Sequence, residues 1–129
     1  MPAGSGFKLT YSTMFNPPPE LHARFDAALA SFRRDGMGRD HAQWIGGMSV
    51  GGARHFEVRS PIDQDWLIGR FVEGSAQDVD RAVQAAQAAY PGWSATPWRE
   101  RVALLRRAAR LIEERGYAIS AAVALEVGK

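Results

Sequence analysis

The sequence predicts an α/β fold: one N-terminal helix, a β-hairpin plus a third strand, then three amphipathic helices. Three observations carry this expectation. Apolar residues recur at helical spacing after Asn16-Pro17-Pro18-Pro19. Short strand-like runs punctuated by paired glycines occupy residues 43–72. From Gly74 onward the apolar period returns to that of a helix and stays there to the end.

Residues 1–15 scatter Phe7, Leu9, Tyr11 and Phe15 among Gly, Ser and Thr. They read as an extended arm that needs a surface to lie on. The three prolines stop regular structure and pre-set φ for a helix start. Leu21, Phe25, Ala28, Leu29 and Phe32 then fall on one helical stripe, which Gly36 and Gly38 end. Gln43-Trp44-Ile45 and His55-Phe56-Glu57-Val58, joined through Gly46-Gly47 and Gly51-Gly52, predict the hairpin. Ser60-Pro61-Ile62-Asp63 reads as a turn, and residues 66–72 as the third strand. Leu67, Ile68, Phe71 and Val72 point to burial on part of both its faces.

Ser75 with Asp78 three residues on forms a near-capping box, with a negative charge at the helix N-terminus. Val79, Val83, Ala86 and Tyr90 make the stripe of this helix, which Pro91-Gly92 is expected to break. Thr96-Pro97 is expected to open the next helix, as cap and first-turn proline. Val102, Leu105, Ala109 and Ile112 share one face of it, with Leu104, Ala108 and Leu111 alongside. Arg99, Arg106, Arg107 and Arg110 take the wetter sides, and Gly116 marks the end. Residues 117–127 form the last helix, striped by Ile119, Val123 and Val127.

Composition narrows the function classes. The chain is 46% hydrophobic, but 21 of its residues are alanine. A buried alanine withdraws little more than a methyl group from water, on the order of 1 kcal/mol. The expected core is thin, and alanine-faced helices gain most by packing on something larger. The formal charge is +2 from 16 basic and 14 acidic residues. Cations alternate with acids, so no nucleic-acid partner is expected. No apolar run approaches the ~20 residues that span a bilayer, and no signal-peptide core opens the chain. Zero cysteines exclude disulfides and thiol chemistry within these residues. The expectation is a soluble, cytoplasmic protein without a membrane partner.

Taken in order, several segments resemble the N-terminal portion of the aldehyde dehydrogenase superfamily. They are Trp44-Ile45-Gly46-Gly47, Phe56-Glu57-Val58-Arg59-Ser60-Pro61, Leu67-Ile68-Gly69-Arg70-Phe71-Val72-Glu73-Gly74, Asp78-Val79-Asp80-Arg81-Ala82-Val83, Trp98-Arg99-Glu100-Arg101 with Leu104-Leu105-Arg106-Arg107-Ala108, and Leu125-Glu126-Val127-Gly128-Lys129. The helix before Trp44 and the Glu-Val-Gly-Lys run are similar to the 1-pyrroline-5-carboxylate (glutamate-semialdehyde) dehydrogenase branch. Ser60-Pro61-Ile62-Asp63 departs from the commoner Asn-Pro followed by a Thr-Gly turn; the departure is expected to alter the turn rather than the chemistry.

The resemblance implies oxidation of an aldehyde to a carboxylate with NAD or NADP, through a cysteine thiolate and a glutamate-activated water. The family's nucleophile, base and main cofactor contacts fall beyond the equivalent of Lys129, so no catalytic or cofactor-binding residue is assigned. Residues 16–129 are expected to be an incomplete part of a Rossmann-like cofactor-binding domain, inactive and without cofactor on its own. The expected partners are the missing catalytic remainder and further copies of the chain. A rival expectation is an interaction module that recruits a partner through its helices and free strand edges.

One site is implied by the resemblance. Glu126 matches a carboxylate that relatives use for a structural monovalent cation, together with a backbone carbonyl near Arg59; oxygen donors suit such a hard ion. A solvent-facing or salt-bridged glutamate is the plainer reading. The paired glycines suit a hairpin better than a phosphate loop, since a strand follows them rather than a helix. His22, His41 and His55 share no metal spacing, and Asp63 and Asp65 suit a turn. The arginines from Arg99 to Arg115 read as a charged face paired locally with Glu100, Glu113 and Glu114. Trp44, Trp66, Trp93 and Trp98 read as packing anchors.

Overall fold

The computed structural model describes Tyr11, Phe15 and residues 17–128. The expected arm therefore lies mostly outside the described residues. Helix α1 spans Pro19–Ser31 and continues into a π-helical turn, Phe32–Gly36. The predicted stripe residues Leu21, Phe25, Ala28 and Leu29 are its half-buried ones, and the fifth, Phe32, is half-buried in the π-helical turn. A Cβ at Gly36 would lie 2.5 Å from the Phe32 ring, so a side chain there would displace that ring.

Five strands follow: β1 Arg39–His41, β2 Gln43–Ile45, β3 Met48–Val50, β4 His55–Arg59 and β5 Leu67–Val72. The hairpin differs from expectation. β2 pairs antiparallel with β3, not with residues 55–58. Gly46 and Gly47 have φ of 59° and 78°, the double positive-φ turn that two-residue hairpins favour and that only glycine adopts without strain. β4 instead pairs antiparallel with β5, and β1 adds to β5 in parallel, giving the order β1-β5-β4.

The register of this sheet sorts side chains by chemistry. His41, Phe71 and Phe56 lie opposite one another, and their rings stack at 4.7 and 5.7 Å. On the other face Arg70 sits between Asp40 and Glu57, at 3.9 and 3.2 Å. β1 itself was invisible to pattern, being three exposed polar residues.

Helices α2 Ala76–Ala95, α3 Trp98–Glu114 and α4 Gly116–Val127 complete the chain. The capping box forms: the Ser75 hydroxyl accepts from the Asp78 N–H at 3.2 Å, and the Asp78 carboxylate accepts from the Ser75 N–H at 2.9 Å. The Ser75 amide, the Ser75 hydroxyl and the Arg81 guanidinium, with Gln43 beside them, hold the Asp78 carboxyl well below its usual range. Two outcomes follow. Ser75→Ala lowers stability by about 1 kcal/mol, read by urea unfolding. A depressed folded-state pKa stabilises above the unfolded value, so this contribution is lost as pH falls below 3.8. Asp78→Asn should flatten that part of the acid-unfolding curve.

Three boundaries differ from expectation. Pro91 does not break α2, which runs four residues further. A proline near a helix end forfeits a single ladder bond. The Ser94 and Thr96 hydroxyls donate to the carbonyls of Pro91 and Gly92 at 3.0 and 2.8 Å, closing the helix end. Thr96 therefore ends α2 rather than capping α3, whose N-cap is Pro97 without a side-chain bond. Gly116 opens α4 instead of ending α3, and Arg115 alone separates the two.

Burial is sparse. Among the described residues the buried apolar side chains are Ile68, Ala121 and Leu125. α4 packs on α1 and buries Ala121 and Leu125, while its predicted stripe of Ile119, Val123 and Val127 is exposed instead. The predicted stripes of α2 and α3 are largely uncovered as well: Val79, Val83 and Tyr90 are exposed, Leu105 and Ile112 are each 61% exposed, and Val102 is half-buried. The tryptophans are weaker anchors than expected. Trp44 is 72% exposed, and Trp66 alone of the four is half-buried, with Arg33 at 4.1 Å over its ring. Among the described residues no helix is long and apolar enough to cross a membrane.

Candidate functional site

The implied site draws on two separated segments, the loop after β4 and the end of α4. A buried serine joins them. Ser60 is completely buried, and its hydroxyl donates to the Leu125 carbonyl at 2.6 Å. The same oxygen accepts from the Ile62 N–H at 3.3 Å, while the Ser60 carbonyl accepts from the Gln64 amide at 3.2 Å. The Ser60 N–H reaches the Trp66 carbonyl at 3.0 Å. Every polar group of this buried residue thus has a partner, as burial requires.

The loop is pinned from both sides. Arg59 donates to the Gln64 carbonyl at 3.0 Å and to Glu57 at 2.9 Å. Arg59 first, then Arg70, holds the Glu57 carboxyl below its usual range. The Asp63 carboxylate accepts from the Asp65 backbone N–H at 3.0 Å, closing a turn. On the α4 side, Gly128 caps the helix with φ of 73°, and a Cβ there would lie 2.8 Å from Pro61.

The structure therefore brings together the two elements that carry Arg59 and Glu126. Each residue is one position from the Ser60–Leu125 bond. Glu126 is exposed and makes no ion pair among the described residues. No group of three or more His, Cys, Asp or Glu side chains poised for a metal occurs among them either. Sequence reasoning missed Ser60 as the joint. Its signal was the departure from Asn at that position, which substitutes a short hydroxyl that can reach a helix carbonyl.

The arginine face of α3 also differs from expectation. Among the described residues none of Arg99, Arg101, Arg106, Arg107, Arg110 or Arg115 forms an ion pair, and neither do Glu100, Glu113 and Glu114. Arg99 and Arg101 lie over Trp98 and Trp93 instead, at 4.7 and 5.9 Å. A concavity of about 590 Å³ opens between α1 and the α3–α4 junction, lined by Leu21, Phe25 and Tyr117 together with His22, Glu113 and Ser120. It includes neither Glu126 nor Arg59.

Comparison with known proteins places this architecture. The family model described as the aldehyde dehydrogenase family matches residues 48–129, more than half of the chain. An N-succinylglutamate 5-semialdehyde dehydrogenase of Burkholderia lata is 40% identical over 84 residues, 65% of this chain and 17% of that protein. A vanillin dehydrogenase of a Pseudomonas species is 45% identical over 80 residues, 60% of this chain and 16% of that protein. A 1-pyrroline-5-carboxylate dehydrogenase of Bacillus subtilis is 32% identical over 81% of this chain and 20% of its own length. The chain thus spans a fifth or less of the curated relatives named here. Among solved structures, 1-pyrroline-5-carboxylate dehydrogenase from Thermus thermophilus superposes with a TM-score of 0.86 at 26% identity, covering all of this chain and 24% of that one. A Thermus structure with bound NAD superposes equally well. With this fold and this family match, the chain belongs to the aldehyde dehydrogenase family and corresponds to the N-terminal region of its 1-pyrroline-5-carboxylate dehydrogenase structures.

Proposed function

We propose that this chain forms the N-terminal part of the cofactor-binding domain of an NAD(P)-dependent aldehyde dehydrogenase. The reaction is oxidation of an aldehyde of the glutamate-semialdehyde type to its carboxylate. The observation that carries this reading is superposition of the whole chain on a 1-pyrroline-5-carboxylate dehydrogenase, while the apolar faces of α2 and α3 stand bare. Relatives named for 5-semialdehyde and pyrroline-carboxylate oxidation support the substrate class. A Thermus relative with bound NAD supports the cofactor.

The chemistry needs a thiolate to add to the aldehyde and an acceptor for the hydride. This chain has no cysteine. Its part is scaffold: a sheet and helices on which the catalytic portion of the enzyme packs. Alone it should reduce no NAD with any aldehyde. Mixed with the remainder of its enzyme, it should restore aldehyde-dependent NADH formation. Failure to bind that remainder would overturn this reading in favour of a separate interaction module, which the bare helix faces also suit.

Within the same reading, Glu126 and a carbonyl near Arg59 hold a monovalent cation. The donors fit by type, both being oxygen, and the Ser60–Leu125 bond keeps their two segments adjacent. The expected outcome is a higher melting temperature in sodium or potassium chloride than in choline chloride at equal ionic strength. Glu126→Gln should abolish the difference, and an unchanged difference in that variant would remove Glu126 from the site.

A further inference from the structure

Arg101 occupies an anomalous position. At 100° per residue it lies on the apolar arc of α3, between Ala108 and Ile112 and close to Leu105. Its neighbour across the gap is Trp93 of α2, whose ring the guanidinium approaches at 5.9 Å. The side chain is half-buried, and its Nε is shut off from solvent with no hydrogen-bond partner. Adjacent Glu100 forms no ion pair among the described residues. The other α3 arginines that the sequence placed on the wetter sides can remain in water; Arg101 cannot once this face is covered.

Coverage is what the proposed function requires, because Leu105 and Ile112 are each 61% exposed and the chain accounts for 24% of the solved enzyme it superposes on. A surface that buries those two side chains also buries Arg101. A guanidinium does not shed its charge, and it presents five donors in a planar fork. Enclosing it without an acceptor is strongly unfavourable, whereas a bidentate carboxylate satisfies both charge and donors. We infer that the polypeptide covering the α2–α3 face is apolar and presents one carboxylate to Arg101. This inference rests on the proposed function and adds the chemistry of the missing contact.

The test grafts this 129-residue chain in place of the matching segment of the Thermus thermophilus enzyme and compares Arg101, Arg101→Lys and Arg101→Leu. With a carboxylate opposite, Arg101→Leu strands a buried charge and should lower the chimera's melting temperature by roughly 5 °C or more. Arg101→Lys should recover part of that loss. In the isolated chain, where no partner covers the face, both substitutions should change stability little. A chimera in which Arg101→Leu melts at or above the parent temperature overturns the inference while leaving the proposed function standing. A parent chimera that neither melts cooperatively nor reduces NAD overturns both.

Discussion

Aspartate at both Leu105 and Ile112 should cut association through the α3 face by about 10²- to 10⁴-fold. The two side chains share one face of α3 and are each 61% exposed in the chain by itself. Fully burying a leucine or isoleucine contributes about 1.5–3 kcal/mol, so losing two removes about 3–6 kcal/mol from any complex that covers them. Burying two carboxylates adds a further penalty. In the isolated chain the same changes touch no core contact, so stability should move by no more than about 1 kcal/mol. Sedimentation velocity reads self-association, and thermal circular dichroism reads the fold. Equal self-association in parent and double variant would show that this face does not join copies. Equal NADH formation on recombination with the enzyme's remainder would show that the catalytic portion does not pack there.

Ser60→Ala should cost about 1–3 kcal/mol, a large share for a chain with so small a core. The Ser60 hydroxyl is the buried donor to the Leu125 carbonyl at 2.6 Å, and alanine leaves that acceptor unpaired in a dry environment. The loop would also lose the Ile62 N–H contact. Urea unfolding should show a lower midpoint, by about 1 M, at an unchanged slope. Ser94→Ala is the control: its hydroxyl also donates to a backbone carbonyl, but at an exposed helix end, where water replaces the bond. If both variants lose the same stability, the joint between the β4 loop and α4 is not what holds these segments together. Gly128→Ala probes the same joint from the other side. Its φ of 73° disfavours a side chain, and Pro61 occupies the space a Cβ would need.

The local elements were legible because local chemistry dictates them. The stripe of α1 followed from spacing alone, and the Ser75–Asp78 cap from two residue types three apart. Glycine pairs announced a hairpin, but not which strands it joins. Gly46-Gly47 offered a tight turn to residues 48–50, and only φ values of 59° and 78° show that the chain accepts it. β1 carries no pattern, since its pairing depends on β5 arriving beside it, with partners thirty residues apart.

The candidate site divides the same way. Glu126 and the Arg59 segment could be named from resemblance, yet nothing in their spacing told that Ser60 would fasten one to the other. Sequence by itself settled most of the stretches that become helix or strand, β1 and β3 and the ends at Pro91 and Gly116 apart, because propensity, capping and turn residues act within a few positions. Tertiary structure alone decided which faces are used. α4 buries Ala121 and Leu125 rather than its branched stripe, because a helix apolar on every side takes its orientation from the neighbour it meets. α2 and α3 keep most of their stripes in water because, Trp93 beside Arg101 apart, the described residues that meet them leave Val79, Val83, Leu105 and Ile112 uncovered.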